Sequence, residues 1–126
     1  MSTTNLQGRT FFVTGANSGL GRATVEALAA RGGSVVLASR SEERTRPVLA
    51  AIQSQHRDAD LQFVSIDLAD LASVQRAAEA FLSSGRALDV LINNAGLAGA
   101  RGLTKDGFEI TVGTNHLGPF LLTELL

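Results

Sequence analysis

The chain has 126 residues, 44% apolar and 18% charged, and its 11 basic and 12 acidic side chains leave a formal charge of −1. That balance fits one folded domain spanning residues 1–126, argues against disorder, and gives nucleic acid or an anionic membrane no electrostatic hold. Cysteine is absent, which excludes disulfides, thiolate catalysis and Cys-ligated metal; with no leader-like start and no apolar run near the roughly 18 residues of a membrane span, a cytoplasmic protein is expected.

Four short apolar runs recur along the chain: Thr10–Val13, Val35–Ala38, Leu61–Ile66 and Leu88–Ile92. Phe11-Phe12-Val13 and Val35-Val36-Leu37 do not alternate apolar with polar, as expected of strands covered on both faces. After the first strand, Leu20, Ala23, Ala27 and Leu28 share a helical face, and Gly32-Gly33 supply the stop. A second helix is predicted from about Thr45 to Gln55, its start set by Pro47, which a helix accepts best in its first turn. A third starts near Asp70, carries Leu71, Val74, Ala78 and Phe81 on its apolar face, and fades at Ser83-Ser84-Gly85. The fourth strand leads into a glycine-rich loop, Ala95–Gly102, and then a helical stretch from about Asp106 to the end. That stretch has Pro119 in its interior and Leu117, Phe120, Leu121 and Leu125 as its stripe. The βαβαβαβ alternation predicts an α/β fold of Rossmann type, a doubly wound parallel sheet in the order 3-2-1-4 with right-handed crossovers. The apolar stripe runs to Leu126, as expected of a fold truncated after strand four and part of the following helix.

Chemistry gathers at the strand ends. Thr14-Gly15-Ala16-Asn17-Ser18-Gly19-Leu20-Gly21 follows the first strand and opens the first helix. Glycines there permit a sharp turn and close backbone approach to a pyrophosphate, and the helix N-terminus favours an anion. A P-loop is excluded because no Lys-Ser/Thr follows the last glycine. The second strand ends at Arg40, where an acidic residue would bind the ribose hydroxyls of NAD and an arginine suits the 2′-phosphate of NADP; Arg44 and Arg46 lie close enough to share the task. Asp67-Leu68 ends the third strand, where the carboxylate suits an adenine amino group or a local cap. Asn93-Asn94-Ala95-Gly96 ends the fourth, beside the point where strand order reverses.

Together these features resemble the short-chain dehydrogenases/reductases: TGANSGLG, Asp67-Leu68 and Asn93–Gly96 match that family's motifs from about residue 8 to the end. VVLASRS, TKDGFE at 104–109 and TNHLGPFLLTELL resemble its retinol dehydrogenase, WW-domain oxidoreductase and protochlorophyllide reductase branch. The resemblance implies hydride transfer between a nicotinamide and a carbonyl or alcohol carbon of a small molecule, and Arg40 selects NADP (NADPH) as the expected cofactor. It implies cofactor contacts from Gly15, Asn17, Ser18, Gly19, Leu20, Gly21, Arg40, Asp67, Leu68, Asn94, Ala95 and Gly96, and a catalytic part in a proton relay for Asn115. It also leaves room for pairing of the complete enzyme with its own copies.

The family's Tyr-x-x-x-Lys and its serine have no counterpart here. Tyrosine is absent altogether and Lys105 is the only lysine, so the 126-residue chain is expected to hold the cofactor-binding half and to be inactive alone. His116 is expected to pack and His56 to lie on the surface. Two other readings are a non-catalytic dinucleotide-binding module or partner subunit, and a sugar-nucleotide epimerase or dehydratase, whose usual Gly-x-x-Gly-x-x-Gly spacing is not found.

Overall fold

The structure, a computed structural model, describes residues 4–126. Strands β1 (Thr10–Thr14), β2 (Ser34–Ser39), β3 (Leu61–Ser65) and β4 (Val90–Ile92) alternate with helices α1 (Gly19–Ala30), α2 (Glu42–Gln55) and α3 (Leu71–Ser83). A last helical segment runs through α4 (Ile110–Val112), a π-helical turn (Gly113–Leu117) and α5 (Gly118–Leu125). The strands are parallel in the order β3-β2-β1-β4, as the sequence predicts. Phe12 sits opposite both Val36 and Leu91.

Successive strand residues serve opposite faces. Phe12, Val36, Ala38 and Val64 join Val74, Ala78 and Phe81 of α3 and Leu122 of α5 in one core. Val13, Val35 and Leu37 join Val25 and Ala29 of α1 and Val48 and Ile52 of α2 in the other. Unbroken apolar runs are therefore required in β1 and β2, which have no solvent face. The rings of Phe12 and Phe81 meet edge to face at 5.6 Å and 89°, a geometry that adds about 0.5–1.5 kcal/mol to their burial.

Several boundaries and faces differ from the sequence reading. Helix α2 starts at Glu42, not Thr45, because Ser41 caps it through the Arg44 N–H at 3.1 Å. Pro47 thus stands beyond the first turn, but it and Glu43 are exposed, so the carbonyl left without a helical donor is open to solvent. Helix α1 buries Gly21, Val25 and Ala29, whereas Ala23 and Ala27 are exposed and Leu20 is 76% exposed. Its inward face is set by the closest backbone approach, at Gly21, rather than by the largest apolar side chains. Strand β4 begins at Val90 instead of Leu88.

The last helix begins at Ile110 rather than Asp106, because residues 104–107 close a tight turn through the Gly107 N–H to the Thr104 carbonyl. The expected stripe is also displaced: Gly118, Pro119 and Leu122 are buried while Phe120 is 58% exposed and Leu125 lies outside the core. A π turn holds one more residue than an α turn, so everything beyond it rotates by about 100° relative to a regular helix. His116 lies in that turn and is exposed rather than packed. His56 is half-buried at the end of α2, where its N–H donates to the Ile52 carbonyl.

Candidate cofactor site

The carboxyl ends of all four strands open on one cleft of about 1150 Å³. This exceeds the roughly 300–1,000 Å³ of a compact small-ligand pocket and suits an extended molecule. Of the residues singled out from sequence, Gly15, Asn17, Ser18, Leu20, Arg40, Asp67, Leu68, Asn94, Ala95 and Gly96 line it. Gly19 and Gly21 stand behind the lining, and Asn115 is set back from it.

The floor is a close contact between the turns that follow β1 and β4. Gly15 has φ +64, a conformation that favours glycine, and a Cβ there would lie 2.9 Å from the Ala95 Cα. A Cβ on Gly21 would lie 2.1 Å from the Gly15 carbonyl oxygen and 2.5 Å from the Asn94 amide. The turn is then latched from the other strand. The Thr14 hydroxyl accepts the N–H groups of Asn94 and Ala95, both at 3.0 Å. The Asn94 side-chain amide donates to the carbonyls of Thr14 at 3.1 Å and Gly15 at 3.3 Å. Thr14 is the buried partner that makes Asn94 useful; its place before the first glycine of the motif is the signal for it.

Helix N-termini distinguish the site further. Ser41 caps α2 and Asp70 caps α3 through their side chains, but Ser18, the N-cap of α1, makes no such bond. Its hydroxyl and the first N–H groups of α1 are left to face the cleft, the arrangement that receives an anion.

At the end of β2, Arg40 and Arg44 line the cleft, and neither forms an ion pair among the described residues. Arg46 points elsewhere and pairs with Glu42 at 2.5 Å. The turn carrying Ser41 is braced below by a buried hydroxyl pair, Ser39 with Thr45 at 2.6 Å. At the end of β3, Asp67 both caps and faces the cleft: one carboxylate oxygen accepts the Ala69 N–H at 3.0 Å. Ile110 and Thr114 of the last helical segment complete this wall; sequence reading missed them because the segment starts at Ile110 and bulges at Thr114 in the π turn.

Asn115 clasps the loop after β4. Its amide donates to the Leu97 carbonyl and its oxygen accepts the Leu97 N–H, both at 2.7 Å. Both polar ends of the side chain are thereby engaged next to Gly96. Lys105 lies by α3, 3.5 Å from Asp70. Burial pushes the Asp70 carboxyl up, but the Lys105 charge and the N–H groups of Ser73 and Ala72 outweigh it and hold the group below the usual carboxylate range. Glu109 is likewise held low by the N–H groups of Thr111 and Val112, which it caps. No group of three or more potential metal ligands occurs among the described residues.

The glycine cradle, the open end of α1 and two unpaired guanidinium groups form a set that fits a dinucleotide. Human dehydrogenase/reductase SDR family member 13 is 49% identical over 97% of the chain, which covers 32% of that protein. Human retinol dehydrogenase 11 is 44% identical over 99% of the chain, which covers 40% of that protein. A crystal structure from Mycobacterium paratuberculosis is 43% identical and superposes with a TM-score of 0.84 over 97% of this chain and 42% of its own. The chain thus spans about a third to two-fifths of the length of these relatives. The pattern of the short chain dehydrogenases matches residues 9–126, and the chain belongs to that family.

Proposed function

We propose that the chain binds NADP(H) and forms the coenzyme-holding part of an oxidoreductase acting on a carbonyl or alcohol group of a small molecule. The observation that carries this reading is the cleft itself: a backbone cradle under an uncapped helix end, with Arg40 and Arg44 unpaired at its adenosine side. Gly15, Ser18 and the α1 amides would hold the diphosphate, Arg40 the 2′-phosphate, and Asp67 the base. Ala95 and Gly96 would admit the nicotinamide ribose, with Asn115 holding the loop that carries them. When bound, the dinucleotide supplies or accepts the hydride. Proton transfer to the substrate oxygen needs a separate acid, and the family's tyrosine is absent from these 126 residues.

A second reading is a dinucleotide-binding module or partner subunit without turnover of its own. Titration with NADPH and NADH tests the cofactor. NADPH is expected to bind about 10- to 100-fold more tightly, the size of one charge-assisted hydrogen bond, and Arg40→Ala to remove most of the difference. Equal affinities in the unmodified chain refute the phosphate role of Arg40. The 126-residue chain is further expected to oxidise no NADPH with a ketone; protein-dependent turnover would show that another group supplies the proton.

A further inference from the structure

The TKDGFE segment has no part in the site described above, yet the structure gives it a specific attachment. Residues 103–109 fold into a closed loop: the Thr104 N–H donates to the Phe108 carbonyl at 2.7 Å, and the Phe108 N–H donates to the Thr104 hydroxyl at 3.1 Å. The loop docks on the turn between β3 and α3. The Lys105 N–H donates to the Ala69 carbonyl at 3.0 Å, and the Lys105 ammonium lies 3.5 Å from Asp70. The Leu71 N–H donates to the Asp106 carboxylate at 2.9 Å. Asp70 serves the Ala72 N–H, so the first amide of α3 receives its acceptor from a loop 35 residues away.

The other side of the same turn is cleft wall: Asp67, Leu68 and Ala69. Its inner end is pinned by the Asp67 N–H donating to the Ser73 hydroxyl at 2.8 Å. One Asp67 carboxylate oxygen is used by Ala69, while the other accepts no hydrogen bond and the Leu68 N–H donates none among the described residues. An acceptor and a donor on one turn match the amino group and adjacent ring nitrogen of adenine. A hypoxanthine ring presents a carbonyl and an N–H there, the reverse pattern.

We propose that Asp106 is a positioning residue for base recognition: by capping Leu71 from outside, it holds the 67–71 turn so that Asp67 and Leu68 read adenine together. The role rests on the dinucleotide reading of the cleft. It is tested by titrating the full chain with NADPH and with its hypoxanthine analogue. The unmodified chain prefers adenine. Asp106→Ala weakens NADPH about tenfold and leaves the analogue nearly unchanged, so the preference collapses. Asp106→Asn keeps a carbonyl acceptor and restores the preference. Equal weakening of both ligands marks general loosening and overturns the proposal, as does an unaltered preference in Asp106→Ala. A chain that binds both ligands alike also overturns it while the coenzyme reading stands; a chain that binds neither removes both.

Discussion

Gly21 shows how one missing side chain sets the site. Its α-carbon faces the Gly15 carbonyl, and even a methyl group would lie at 2.1 Å from that oxygen, well inside van der Waals contact. Neither atom can move without parting the turn from β4, because Asn94 bonds to the same carbonyl. Gly21→Ala is therefore expected to lower both the melting temperature and NADPH affinity, the latter by tenfold or more. Gly19 is the comparison within the same turn, since a Cβ there meets nothing within 4 Å. Its positive φ of +55 still strains any substitution, so Gly19→Ala should cost about 1–2 kcal/mol of stability while leaving the floor of the cleft in place. Thermal melts and coenzyme titrations of the two variants separate the effects.

At the scale of elements, the start of α3 couples charge to structure. The Asp70 carboxyl is held low when folded, so it stabilises the fold above its unfolded pKa of about 3.9. That contribution is lost as pH falls through the lower folded value. Lys105→Ala removes the nearer of two opposing charges, leaving Arg76 at 3.8 Å, and should raise the Asp70 midpoint toward the ordinary value, so that acid loosening begins at higher pH; carboxyl NMR titration of Asp70 reads this directly.

The four strands, the sheet order and ten of the cleft residues were legible because buried parallel strands and glycine turns leave local signatures. The inward faces of α1 and the last helix were not, since each depends on contacts outside its own sequence. Gly21 against Gly15 turns one, and Gly118, whose Cβ would lie 2.4 Å from the Leu68 carbonyl oxygen, fixes the other beyond a π turn. The start of α2 was hidden by Pro47, whose local penalty lost to the Ser41 cap and the Thr45 hydroxyl bonds.

For the molecule as a whole, the sheet divides two cores, and β4 pairs only with β1 among the described residues. Its outer edge carries Val90, which is 39% exposed, and unpaired edges of this kind invite strand addition. The chain is expected to associate as concentration rises and to melt below about 60 °C. Val90→Lys should reduce the association in sedimentation velocity runs; a sharp monomeric transition above that temperature in the unmodified chain would contradict the expectation. The Thr14 latch has a different consequence. Its two amide donors come from 80 and 81 residues further along, so during synthesis the glycine bend leaves the ribosome long before its clasp exists. Until Asn94 and Ala95 emerge and β4 docks, that bend has no backing, so the cradle cannot be completed before the fourth strand is in place.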